Sequence, residues 1–146
     1  MELNPIILKE LFTSDKDDII SLVKKLNPDK PVDDLNKSIV EMFSFSNYHC
    51  FGLYSGTNLL GISSCWITVR FYSGKQIELD NVIIDDEIRS TGLGRKFLEL
   101  LEIWAKENSC NTVELNTYVQ NSRSHKFYFN SGYSILGYHF QKNIKP

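Results

Sequence analysis

No apolar run in this chain approaches the ~18 residues that cross a bilayer as one helix, so a membrane-spanning protein is not expected. Cysteine is scarce. Cys50, Cys65 and Cys110 are odd in number and include no Cys-x-x-Cys pair. That argues against a disulfide framework and a cysteine-rich zinc site, and it favours a reducing, cytoplasmic setting with the thiols acting as small core hydrophobes. Charge of one sign is lacking too: 16 Lys and Arg face 18 Asp and Glu, for a net charge of -2. Without a basic excess, a nucleic-acid partner is not expected. His49, His125 and His139 have no metal-ligand spacing, and no metal is expected. The opening MELNPIILKELF is acidic with a short apolar stretch, unlike a secretory signal. Repeats, low-complexity tracts and linkers are missing.

What remains is 146 residues, 42% of them hydrophobic, enough for one core and therefore for a single domain over 1–146. Ile6 to Leu11 reads as a strand. A helix start at Thr13 or Ser14 follows, with Asp15, Asp17 and Asp18 in its first turn and an apolar face of Ile19, Ile20, Leu22, Val23 and Leu26. Asn27-Pro28 stops it. Leu35, Ile39, Val40, Met42 and Phe43 place a second helix. The period then changes: Tyr48 to Tyr54, Leu59 to Phe71 and Gln76 to Ile84 read as strands, with reversals at Ser55-Gly56-Thr57-Asn58 and Ser73-Gly74. A helix is predicted over Thr91 to Glu107, a strand over Thr112 to Tyr118, a helix over Ser122 to Asn130 capped near Gly132, and two short strands between Tyr133 and Ile144. The order βααβββαβαββ predicts an α/β (α+β) fold: a mixed, mostly antiparallel central sheet with helices on both faces.

The sharpest local signal is Arg89-Ser90-Thr91-Gly92-Leu93-Gly94, between a buried strand and a helix. Two glycines let backbone approach a ligand, and the free amides of the helix start favour an anion. Arg89, Arg95 and Lys96 add positive charge, so a diphosphate suits the turn. A Walker loop fails because Gly94 is followed by Arg95-Lys96-Phe97 rather than Lys-Ser/Thr. A Rossmann turn fails because Phe97 stands where a small residue is needed. A glycine turn that merely joins strand to helix remains the alternative. The second signal runs from Asn121 to Tyr133. Ser124, Phe127 and Tyr128 recur there at helical spacing, and Gly132 is placed to end the helix. Asn121 reads equally as a plain N-cap, and Tyr128 as a half-buried aromatic.

Together the two segments resemble the GNAT acetyltransferase superfamily. Arg89-Ser90-Thr91-Gly92-Leu93-Gly94 is similar to its Arg/Gln-x-x-Gly-x-Gly/Ala signature. Asn121-x-x-Ser124-x-x-Phe127-Tyr128-x-x-x-Gly132-Tyr133 is similar to its second element, with Ser124 in place of the usual alanine. The resemblance implies acetyl-CoA as cosubstrate, its pyrophosphate held by Arg89, Ser90, Thr91, Gly92, Leu93, Gly94 and Arg95, with Asn121 and Ser124 beside the cofactor. It also implies that backbone groups of Val82, Ile83 and Ile84 hold the acetyl carbonyl and pantetheine arm. Tyr128 is then the proton donor to the coenzyme A sulfur, besides touching the cofactor.

Acetyl transfer to an amine needs a base. Deprotonating a lysine-like amine of pKa ~10.4 at pH 7 costs about 4.6 kcal/mol. The strand Gln76 to Ile84 alternates Ile77 and Leu79 with Glu78 and Asp80, so the two carboxylates share a face. Alternation fails at Asn81-Val82, as a β-bulge would make it fail, and bulges re-aim groups beside active sites. The resemblance places a catalytic glutamate at Glu78, with Asp80 a second candidate; a solvated acidic face is the bland alternative. His125 is expected on a helix surface, while Asn116, Tyr118 and His139 are either acceptor-pocket or strand residues. The function expected is an acetyl-CoA-dependent N-acetyltransferase acting on a primary amine of a small molecule, as a homodimer. The alternatives are a protein or peptide N-acetyltransferase and a non-catalytic acyl-CoA-binding protein.

Overall fold

The computed structural model describes residues 4–85, 88 and 92–146. Strand β1 (Ile6–Leu11) ends on the buried Leu11. Asp15 closes the next turn by accepting the Phe12 N–H at 2.8 Å, and a short 3-10 turn over Thr13–Asp15 leads into α1 (Lys16–Leu26). Asp17 and Asp18 occupy the first turn of α1 and Lys24 and Lys25 the last, each sign where the helix dipole favours it. The Asn27 side chain donates to the Val23 carbonyl at 3.0 Å, which finishes the helix before Pro28. Helix α1 buries Ile19, Ile20 and Leu22, and α2 (Val32–Phe43) buries Leu35 and Ile39. These are members of the apolar faces expected from spacing.

Strands β2 (Tyr48–Ser55), β3 (Asn58–Arg70) and β4 (Gly74–Ile84) continue from β1 as an antiparallel meander. After α3 (Leu93–Glu107), strand β5 (Thr112–Leu115) joins beyond β4, giving the order β1-β2-β3-β4-β5. The core has two layers. Leu11, Cys50 and Ile62 pack with α1 and α2 on one face. On the other, Trp104 of α3 meets Phe51 at 4.7 Å and His49 at 5.1 Å between ring centroids. Helix α3 buries Phe97, Leu98, Leu101 and Ala105; Leu98 is an addition to the face read from the sequence. Helices therefore cover both faces of the sheet.

The break in alternation in β4 is a bulge. Ile62 pairs with Ile83 and Ser64 with Asp80, so Ser63 alone faces two residues, Asn81 and Val82. Asn81 takes φ 54°, a left-handed conformation that Asn tolerates and β-branched residues do not. Asp80 and Ile83 are three residues apart yet lie on one face, because the extra residue resets the period. We expect Asn81→Val to cost about 1–3 kcal/mol, lowering Tm by several degrees in a thermal melt, and Asn81→Gly to leave Tm nearly unchanged. Equal melting of the valine variant would remove the strain from the account.

Strands β2, β3 and β4 shift by one or two residues from the sequence expectation, and there are three further differences. Helix α3 starts at Leu93 rather than Thr91, with the left-handed Gly92 as its N-cap. Strand β5 stops at Leu115 rather than Tyr118, and Tyr118 is exposed. The two strands expected between Tyr133 and Ile144 do not form, and no ladder is assigned after β5 among the described residues. A strand is defined by its hydrogen-bonded neighbour as well as by its alternation. Helix α4 (Ser122–Asn130) matches its expected bounds. The chain divides into two compact units, Met1–Glu114 and Leu115–Pro146. No described helix is long and apolar enough to cross a membrane.

Candidate active site

In the first unit, Glu78 and Asp80 share a face of β4, as their spacing requires. Cross-strand register adds groups that the sequence could not assemble: Glu78 faces Trp66, Asp80 faces Ser64, and Trp66 and Ser64 face Tyr48 and Cys50 of β2. Direct partners in an antiparallel pair point to the same side, so these residues form one strip on the α1–α2 side. The Tyr48 hydroxyl and Ser64 Oγ are 2.6 Å apart. Trp66 packs against Tyr48 at 4.8 Å and Phe45 at 5.8 Å between ring centroids.

Asp80 presents surface to solvent, yet the protein packed around it desolvates the carboxyl and raises its pKa, while a hydrogen bond from Trp66 opposes the rise. It therefore keeps its proton to higher pH than a free aspartate does. The contact of Trp66 with Asp80 becomes visible only once β3 and β4 are in register.

The thiols are not poised for nucleophilic work. Cys50 and Cys65 are buried and Cys110 is half-buried, all three free. Burial pushes the Cys50 thiol up to about 12 and also raises those of Cys65 and Cys110, so each stays protonated at neutral pH. Among the described residues, no three His, Cys, Asp or Glu side chains gather as a metal site.

Val82, Ile83 and Ile84 follow the bulge at the end of β4, and Ile83 is buried. Of the glycine turn, Arg89, Ser90 and Thr91 lie outside the described residues. Gly92, Leu93, Gly94 and Arg95 are described. Gly92 sits at φ 79°, with no side-chain cap on the helix and no acidic residue in its first turn. Among the described residues, a Cβ built on Gly92 would meet nothing within 4 Å. The first helical bond runs from the Lys96 N–H to the Gly92 carbonyl, leaving the amides of residues 93–95 outside the helical ladder. Arg95 is exposed and holds Glu99 at 3.3 Å. A helix start without a side-chain cap among the described residues, with the cationic Arg95 and Lys96 in its first turn, fits an anionic diphosphate. A separate cavity of about 260 Å³, lined by His49, Lys75, Trp104 and Asn108 among others, lies at the opposite end of α3, roughly 20 Å away by helix rise.

The second unit carries Asn121, Ser124 and Tyr128 on α4. The Asn121 side chain accepts the Ser124 N–H at 3.2 Å, so Asn121 is an N-cap and the Ser124 amide is its partner. At the other end, Gly132 at φ 90° lets the Tyr133 N–H reach the Tyr128 carbonyl at 3.0 Å and the Gly132 N–H reach Phe129 at 3.2 Å. That paired closure is a Schellman motif. It also brings the Tyr133 ring to 5.7 Å from the Tyr128 ring, while Phe127 lies at 5.1 Å. The spacing from Asn121 to Tyr133 is thus a helix with both ends fastened and Tyr128 held near its close. Burial raises the Tyr128 pKa, so its phenol is protonated at neutral pH.

These features agree with comparisons to known proteins. A model of the Acetyltransferase (GNAT) family matches residues 19–133. None of the curated proteins matches the sequence. Among solved structures, the aminoglycoside N-acetyltransferase AAC(6')-Iy in complex with CoA superposes with a TM-score of 0.84 at 15% identity, covering 99% of this chain and 98% of that one. The aminoglycoside 6'-N-acetyltransferase AAC(6')-Ih from Acinetobacter baumannii gives a TM-score of 0.78 at 19% identity, covering 97% and 100%. A GNAT family acetyltransferase of Staphylococcus aureus subsp. aureus USA300_TCH1516 gives 0.76 at 21% identity, covering 95% and 98%. At these identities the superpositions speak for the fold, and the family match speaks for the chemistry: the chain belongs to the GNAT acetyltransferase family.

Proposed function

We propose that the chain is an acetyl-CoA-dependent N-acetyltransferase that passes acetyl directly to a primary amine of a small molecule. The observation that carries this reading is the uncapped start of α3 behind the left-handed Gly92, which suits the cofactor's diphosphate. Leu93, Gly94 and Arg95 contribute amides and charge there, and Arg89, Ser90 and Thr91 complete the turn in the sequence motif. Backbone groups of Val82, Ile83 and Ile84, beyond the bulge, hold the acetyl carbonyl and the pantetheine arm. Asn121 and Ser124 support the cofactor from α4.

In this reading Glu78 takes a proton from the acceptor's ammonium, directly or through water, so that the free amine attacks, and Asp80 is the second carboxylate of that face. The new C–N bond forms as the C–S bond breaks, Tyr128 gives its phenolic proton to the departing sulfur, and the second proton lost from the amide nitrogen passes to solvent, from which Tyr128 is reprotonated. The acceptor is an amine, consistent with carboxylates and the Trp66 ring sharing one strip. Similarity to two aminoglycoside acetyltransferases supports a small-molecule acceptor. Three free cysteines favour a cytoplasmic enzyme, and we take its working form as a homodimer.

The test is thiol release from acetyl-CoA over polyamines, amino sugars, aminoalkyl compounds, amino acids and peptides. Turnover with small amines is expected. Peptide acetylation alone would move the assignment to a protein N-acetyltransferase, and no turnover with any of them would leave only cofactor binding. With the acceptor found, wild-type kcat/KM should rise with pH along a limb that is lost in Glu78→Gln and kept in Asp80→Asn. The reverse pattern would make Asp80 the base, its raised pKa placing that limb above the usual aspartate range.

A further inference from the structure

The cavity of about 260 Å³ at the far end of α3 is lined only by residues of the first unit. Sheet register explains how its walls come together. His49 faces Cys65 on β3, and Ile67 faces Ile77 on β4. His49, Ile67 and Lys75 therefore fall on the α3 side, opposite the strip of Tyr48, Trp66 and Glu78. Trp104 of α3 closes one side, packed against His49 and Phe51. Asn108, the C-cap of α3, stands at its end. Carbonyls that close a helix carry partial negative charge, and the Lys75 ammonium answers them by donating to the Asn108 carbonyl at 2.7 Å.

The resulting cavity is positive and partly apolar. An ammonium has three donors, and Lys75 uses one of them on Asn108. Glu10 engages His49 at Nδ1, so that carboxylate sits behind the ring, and Nε2 is turned away from it. Among the described residues, no Asp or Glu lines the cavity. Ile67 and the Trp104 ring supply apolar surface. The space equals that of about nine waters and falls below the ~300 Å³ at which pockets for larger ligands begin. One cation beside apolar walls calls for one negative charge on a compact apolar body. An amine would meet Lys75 with like charge, and a phosphate dianion would exceed the single cation facing it.

We infer that this cavity is a second ligand site, which takes a small monocarboxylate. The carboxylate pairs with Lys75, and the apolar body lies on Ile67 and Trp104. The site is roughly 20 Å from the glycine turn by helix rise. It goes beyond acetyl transfer, and its test needs no turnover.

The chain has two tryptophans, Trp66 in the carboxylate strip and Trp104 in the cavity wall. Their indole N–H signals in a proton–nitrogen correlation spectrum, assigned with Trp66→Phe, report the two places separately. The full chain is titrated with benzoate, with isovalerate, and with benzyl alcohol as the uncharged counterpart of benzoate. The expected result is a saturable shift of the Trp104 signal with either acid while the Trp66 signal stays in place. Affinity should fall at least tenfold for benzyl alcohol, and at least tenfold for benzoate in Lys75→Met, each of which lacks one charge of the pair. If Lys75→Met loses the dispersed spectrum of a folded protein, Ser46→Tyr takes its place. Ser46 is an exposed turn residue of the lining, and an added ring there fills the space, so the shift should vanish. No saturable shift with either acid would overturn the site, as would a shift of the Trp66 signal alone. Equal binding of benzyl alcohol, or benzoate binding untouched by the substitution, would overturn the pairing with Lys75.

Discussion

Gly92→Asp is expected to weaken acetyl-CoA binding at least a hundredfold while the protein still folds. The residue sits at φ 79°, so any side chain there carries a backbone cost of about 1–2 kcal/mol. Among the described residues, a Cβ there meets no atom within 4 Å. The larger effect is electrostatic. A carboxylate near ~4 Å from a phosphate charge, at an effective dielectric constant near 20, is repelled by about 4 kcal/mol, and it also competes for the same helix-start amides. Affinity should fall at least hundredfold by calorimetry, with Gly92→Ala losing far less. If the alanine variant loses as much as the aspartate, the glycine matters for conformation alone and not for an anion. If neither loses affinity, the diphosphate lies elsewhere.

Tyr128→Phe should lower kcat by about a hundredfold, the lower end for removal of a general acid, with the dissociation constant for coenzyme A changed less than twofold. The ring keeps its packing against Phe127 and Tyr133, so only the hydroxyl is lost. Burial holds that hydroxyl protonated, as a donor to a thiolate of pKa ~8.5 must be. The deficit should shrink with acyl donors whose leaving thiol is more acidic, since these need less help from a proton. Wild-type turnover in the variant would take Tyr128 out of the chemistry.

How much of this could be read from the sequence depended on how local each feature is. The faces of α1, α2 and α3 follow from spacing within one helix. The bulge was legible because Asn81-Val82 breaks a period of two inside one strand, and the left-handed φ of Asn81 accounts for that break. The ends of α4 were legible in part: Gly132 marks the stop, while the Asn121 cap was one of two readings and the close approach of the Tyr133 and Tyr128 rings was not foreseen. Register was not legible. The strip joining Tyr48, Ser64, Trp66, Glu78 and Asp80 depends on pairing across three strands, and nothing in one strand states its partner. The segment after Gly132 shows the same limit from the other side. Two strands are expected there and none is assigned, because a local pattern does not supply the neighbour that makes a strand.

The claim on which the rest depends is that the amides opening α3 gather around the diphosphate of acetyl-CoA. Titration calorimetry of the wild type with acetyl-CoA and with acetyl-pantetheine, which lacks the diphosphate, measures that contact directly. The account predicts at least a hundredfold preference for acetyl-CoA that largely disappears in Gly92→Asp. Equal affinity for the two ligands, or a preference untouched by the substitution, would contradict it.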